Sequence, residues 1–163
     1  MKKLLFVLPL VALISQMAAA QTVDDLFNKY KDKDYALYTT IPPDSLMDQD
    51  SFKGSKVSFA ESLSIAEIDV EAFRKDLDAL QGYEKIDLVA NAVTGNKLGR
   101  KYLDLMIQSG LAAYGRKRGR VWSEGLLVIP VNGSYTMVHV KGRLKDRAFQ
   151  TSVNMDATIA DPE

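Results

Sequence analysis

The dipeptide Asn132-Gly133 stands between two apolar runs, residues 121–131 and 134–144, and constrains the fold more than any other feature of the chain. A two-residue type I′ turn needs positive φ at both central positions, and Asn-Gly accepts that conformation most readily. The turn also sets the pairing. Ile129 falls opposite Thr136, Val128 opposite Met137, Leu126 opposite His139 and Glu124 opposite Lys141. The last pair carries opposite charges, as cross-strand neighbours favour. Upstream, residues 111–116 turn through Lys117-Arg118-Gly119 into the first run, so the C-terminal third reads as a three-stranded β-meander.

The preceding residues add helices and two further strands. Thr22 reads as an N-cap with Asp25 three residues on, ahead of Val23, Leu26, Phe27 and Tyr30 on one helical face. Residues 35–41 alternate, with Tyr35, Leu37, Thr39 and Ile41 on one face, and Pro42-Pro43 ends the strand. Asp69 caps a second helix carrying Val70, Phe73, Leu77 and Leu80, with Ile68 and Phe73 spaced as a hydrophobic staple and Gly82 as its left-handed stop. Residues 86–92 alternate as a strand, and residues 96–109 form a helix that ends at Gly110. Residues 44–68 carry only a weak period of two at Val57, Phe59, Leu63 and Ile65. The expected fold class is α+β, a mostly antiparallel sheet with a C-terminal meander and helices packed on one face.

Residues 1–20 read as an export signal. Lys2 and Lys3 precede an apolar run over 4–14, and Ala18-Ala19-Ala20 supply the small residues for cleavage before Gln21. The run is shorter than the roughly 18 apolar residues of a membrane span, and no cysteine stands at the cleavage point for lipid attachment. The expected product is exported, periplasmic or secreted, and not a lipoprotein. It comprises one domain over residues 21–147 and a polar tail over 148–163. Its halves differ in charge: residues 21–90 hold 8 bases and 15 acids, and residues 91–163 hold 11 bases and 6 acids.

Motif chemistry is sparse. The chain has no cysteine, which rules out disulfides, thiolate metal sites and cysteine nucleophiles, and one histidine, which rules out multi-histidine metal sites. That histidine, His139, falls mid-strand with no G-x-S-x-G elbow in the chain, and is expected to be structural or exposed. Asp44, Asp48 and Asp50 precede Gly54, but Phe52 and Phe59 occupy positions where a calcium loop needs oxygen ligands. Residues 95–101 lack the spacing and the Lys-Ser/Thr pair of a phosphate loop and read as a helix start. No catalytic residue, cofactor or metal is expected. The most distinctive surface feature is Arg116, Lys117, Arg118 and Arg120 in a hairpin turn, flanked by Tyr114 and Trp122. These six are the expected partner-binding residues. The alternative reading is a turn that is simply well solvated, whose charges discourage strand-to-strand aggregation; the expected partner otherwise is an envelope protein or an anionic envelope component rather than nucleic acid, because the exported chain is net acidic.

Two stretches resemble a known family. Leu26-Phe27-Asn28-Lys29-Tyr30 runs into the strand at 35–41 as a helix-into-strand opening, and Lys101-Tyr102-Leu103-Asp104-Leu105-Met106 precedes the basic hairpin and residues 126–143. Together they resemble the small exported Bacteroidetes proteins grouped as domain of unknown function 4252. The resemblance implies an α+β envelope protein and assigns no functional residue. It departs over residues 42–68, where no pattern matches. The expected function is a non-enzymatic envelope binding or accessory module; the alternatives are a carboxylate-dependent hydrolase of envelope polymers and a purely structural secreted protein.

Overall fold

The computed structural model describes residues 21–90, 92–94 and 97–153; residues 1–20, read above as an export signal, residues 91 and 95–96, and residues 154–163 lie outside them. Helix α1 (Val23–Tyr30) begins at a capping box, in which Thr22 Oγ1 accepts from the Asp25 amide and Asp25 Oδ2 accepts from the Thr22 amide. Then come β1 (Ala36–Thr40), the short α2 (Pro43–Met47) and the long β2 (Lys56–Ile65). Helix α3 (Val70–Asp78) starts where Asp69 accepts from the Glu71 and Ala72 amides. After it run β3 (Glu84–Lys85), β4 (Ala92–Thr94), α4 (Lys97–Gln108), β5 (Ala112–Arg118), β6 (Val121–Val131), β7 (Ser134–Leu144) and β8 (Thr151–Val153).

Six strands form one antiparallel sheet in the order β1-β2-β7-β6-β5-β3. The fold is α+β, with the meander at its centre. Asn132 and Gly133 take φ of 43° and 81°, and all four pairings expected from that turn are present. On one face, α1 and α3 cover the sheet, and Leu26, Phe27, Phe73 and Leu77 pack onto Leu63, Leu126, Val128 and Met137. On the other face a smaller cluster joins Leu46, Val57, Trp122, Val140 and Leu144, with Phe149 partly buried against it.

The two faces of β1 meet different surroundings: Tyr38 pairs with Leu63, Tyr38 Oη reaches Glu61 on the helix-covered side, and Leu37 is 73% exposed. As an edge strand it takes its facing from β2, whose apolar residues decide the register. Three features differ from the sequence reading. In place of the strand expected over 86–92 the chain forms only the two-residue β3 before it, because Asp87 Oδ1 accepts from the Val89 and Ala90 amides, a local turn that competes with the ladder. Helix α3 ends at Asp78, before Gly82, whose φ of 77° instead carries the chain past the Arg116 guanidinium. The segment read as a tail from 148 continues the fold: Phe149 lies 5.0 Å from Trp122 between ring centroids, and β8 pairs in parallel with β4. The weak period over 57–65 is a ten-residue strand interrupted by a bulge between Val57 and Phe59.

Candidate functional site

One end of the sheet is bulged on three adjacent strand pairs. The register shifts between Val57 and Phe59 in β2, between Trp122 and Glu124 in β6, and between Arg116 and Lys117 in β5. Each bulge leaves an extra residue out of the ladder and re-aims its neighbours. Ser58 and Ser123 are the residues skipped in β2 and β6, and their hydroxyls donate to the carbonyls of Lys141 and Arg116 at 3.1 Å each. The shift in β6 also sends Trp122 to the second core while Glu124 stays on the helix-covered face.

Beneath the N-terminus of α1 lies His139, fully buried in the middle of β7. Its Nδ1 is 2.8 Å from Glu61 Oε1 and its Nε2 is 3.2 Å from Glu124 Oε2. The other Glu61 oxygen accepts from Tyr38 Oη at 2.8 Å, and Tyr83 Oη donates to Glu124 at 2.6 Å. Phe27 and Phe59 close on the imidazole with ring centroids 5.6 and 6.2 Å away. The His139 hydrogen bond, joined by that of Tyr83 and the charge of Arg116, holds the Glu124 carboxyl well below its ordinary value, at about 2, although burial opposes this. Glu124 is therefore ionised, so His139 Nε2 donates to it, and one proton on the Glu61–Nδ1 contact completes the network. Burial and the bond to Glu124 push the Tyr83 hydroxyl pKa upward, which keeps it a donor.

Asp24, in the first turn of α1, brings a third carboxylate within 4.0 Å of Nδ1. Asp24, Glu61 and His139 place one ligand atom each within 4.8 Å of one another, the spacing of a metal-binding group. Their own bonding satisfies them without an ion: Glu61 takes Nδ1, and Lys141 Nζ donates to Asp24 at 2.7 Å. The side chains directly opposite in the hairpin, Glu124 and Lys141, consequently each pair elsewhere, Lys141 with Asp24 and Glu124 with His139.

Outside this network opens a cleft of about 510 Å³. Lys56, Arg116, Arg118, Lys141 and Arg143 line it together with Ser58, Ser123 and Glu124. Arg116 has internal partners: its Nη2 donates to the Gln81 carbonyl at 3.0 Å, its guanidinium lies 4.3 Å from the Tyr83 ring, and Nη1 is 3.7 Å from Glu124. Lys56, Arg118 and Arg143 have no carboxylate partner among the described residues.

The six residues expected to bind a partner separate into three groups. Arg116 and Arg118 line the cleft, whereas Arg120 is exposed in the turn after Gly119. Lys117 points away, 4.5 Å over the Trp122 ring and 3.9 Å from Glu84. Tyr114 and Trp122 are buried in the two cores, and the Trp122 indole N–H donates to Asp146 at 2.7 Å. Neither ring offers a face for stacking a ligand. Lys56 joins the cleft only through the β2–β7 pairing, which sets it opposite Arg143, while Lys141 and Arg143 stand in β7, away from the basic turn that the sequence singles out. Glu61 had a readable signal: it occupies the apolar parity of Phe59, Leu63 and Ile65, where a carboxylate must find a buried partner. No family model, curated protein or solved structure matches the chain.

Proposed function

We propose that the protein is an exported, non-enzymatic binding module of the cell envelope, which engages an anionic envelope component or an acidic protein surface through the basic end of its sheet. The observation that carries this reading is the cleft with three cations, Lys56, Arg118 and Arg143, that no carboxylate among the described residues neutralises. Charges left unpaired beside a concave surface raise the local concentration of anions and favour their docking. The export segment at residues 1–20 and the resemblance to the exported Bacteroidetes family support the location. The arrangement of the acids supports a role without catalysis. Glu61 and Glu124 flank one imidazole, which fills the room that a scissile bond and a water would need between paired carboxylates.

The test is co-sedimentation of the full chain, expressed with its own N-terminal segment, with membranes from its host envelope. A Lys56→Gln, Arg118→Gln, Arg143→Gln variant is expected to lose most of the binding while keeping the wild-type circular dichroism spectrum. Undiminished binding by a folded triple variant would overturn the reading.

A further inference from the structure

The walls of the cleft select a ligand more narrowly than positive charge alone. Its cations come from three strands, Lys56 from β2, Arg116 and Arg118 from β5, and Lys141 and Arg143 from β7. Of the two acids nearest them, Glu124 is neutralised by Arg116 and Asp24 by Lys141. Three positive charges remain for a ligand. A dianionic phosphomonoester matches them better than a single carboxylate does, and guanidinium groups present planar forks that fit phosphate oxygens.

The hydroxyls restrict the rest of the ligand. Ser58 and Ser123 each spend their one proton on a backbone carbonyl, Lys141 and Arg116 respectively. Toward the cleft they therefore present only acceptor lone pairs, and the ionised Glu124 is likewise an acceptor. Acceptors beside a phosphate subsite call for a ligand body that donates, which a polyol does with its hydroxyls. A volume of about 510 Å³ exceeds what one phosphate group fills and lies in the range of small-molecule pockets. We infer that the cleft binds a phosphorylated sugar, with the phosphate held by Lys56, Arg118 and Arg143 and the sugar hydroxyls donating to Ser58, Ser123 and Glu124.

This inference rests on the proposed binding role and names its ligand. The same chemistry is offered by a free sugar phosphate and by the headgroup of a phosphorylated glycolipid. The experiment is an amide chemical-shift titration of the full chain with glucose 1-phosphate, glucose and inorganic phosphate, alongside flotation with phosphatidylcholine vesicles that carry or lack lipid A. Glucose 1-phosphate is expected to shift residues 56–58, 116–118, 123–124 and 141–143, about tenfold more tightly than inorganic phosphate and with glucose silent. Arg118→Gln and Arg143→Gln are each expected to weaken it about tenfold. Retention on lipid A vesicles alone assigns the headgroup as the source, and a response to glucose 1-phosphate alone assigns the soluble ligand. If neither probe binds, or if both arginine variants bind as the wild type does, the sugar-phosphate inference fails. Envelope binding that still depends on the three cations then keeps the broader reading, and its independence of them ends both.

Discussion

Replacing His139 by leucine removes the imidazole that bonds both Glu61 and Glu124 and leaves both carboxyl groups facing an apolar side chain. Leaving a buried carboxyl group without its hydrogen-bond partner costs about 1–3 kcal/mol, and more where the group stays charged, because it remains desolvated. An independent figure comes from Glu124, whose folded value of about 2 lies below the ordinary 4.5 chiefly because of its bond to His139. At 1.36 kcal/mol for each pH unit, and discounted for the residue's partial exposure, that corresponds to about 2–3 kcal/mol. The sign follows from the direction of the shift. A carboxylate held low in the folded protein contributes its full stability above the unfolded value of 4.5, and that contribution is lost as pH falls toward 2. The leucine variant lacks this term, so the gap between wild type and variant is largest near neutrality and narrows in acid. Urea unfolding followed by far-UV circular dichroism at several values across the window measures it. A loss below about 1 kcal/mol at neutral pH, or a loss independent of pH, would refute the reasoning.

Three further outcomes test other parts of the fold. In Gly115→Ala the new methyl would stand 2.5 Å from Trp122 Cζ3, so we expect a loss of about 1–3 kcal/mol and altered tryptophan emission; unchanged emission and stability would contradict the packing of the second core. Gly133→Ala puts a side chain at φ 81°, and its unfolding midpoint should fall by the equivalent of about 1 kcal/mol or more. Asp69→Ala removes the acceptor for two amides at the start of α3 and is expected to cost about 1 kcal/mol in a denaturant titration, whereas a neutral result would remove the cap's role.

The parts of the fold legible in the sequence are those governed by local chemistry. Asn132-Gly133 dictates a turn by its backbone alone, and the register of β6 and β7 followed. Thr22 and Asp69 mark helix starts because their partners are two or three residues away. Where a distant partner decides, the local pattern is silent: alternation marks two faces of β1, but β2 sets which of them is covered and leaves Leu37 exposed. Phe149 looked like part of a polar tail until Trp122, bulged toward it, supplied a surface. The site divides in the same way. Its hairpin arginines are contiguous and visible, but Lys56 and Arg143 lie far apart in the chain and meet only as partners across β2 and β7. The hairpin register did place Glu124 on the same face as His139 and one pair removed from it, so half of the buried network was readable before Glu61 joined it.

The claim that the basic end of the sheet is the binding surface has a direct test. Isotope-labelled protein is mixed with a small fraction of vesicles made from its host envelope, and amide line broadening is mapped along the chain. The account predicts broadening centred on residues 56–58, 116–124 and 141–143. Broadening centred instead on the exposed stripe of α4, where Leu98, Tyr102 and Leu105 face outward, would contradict it.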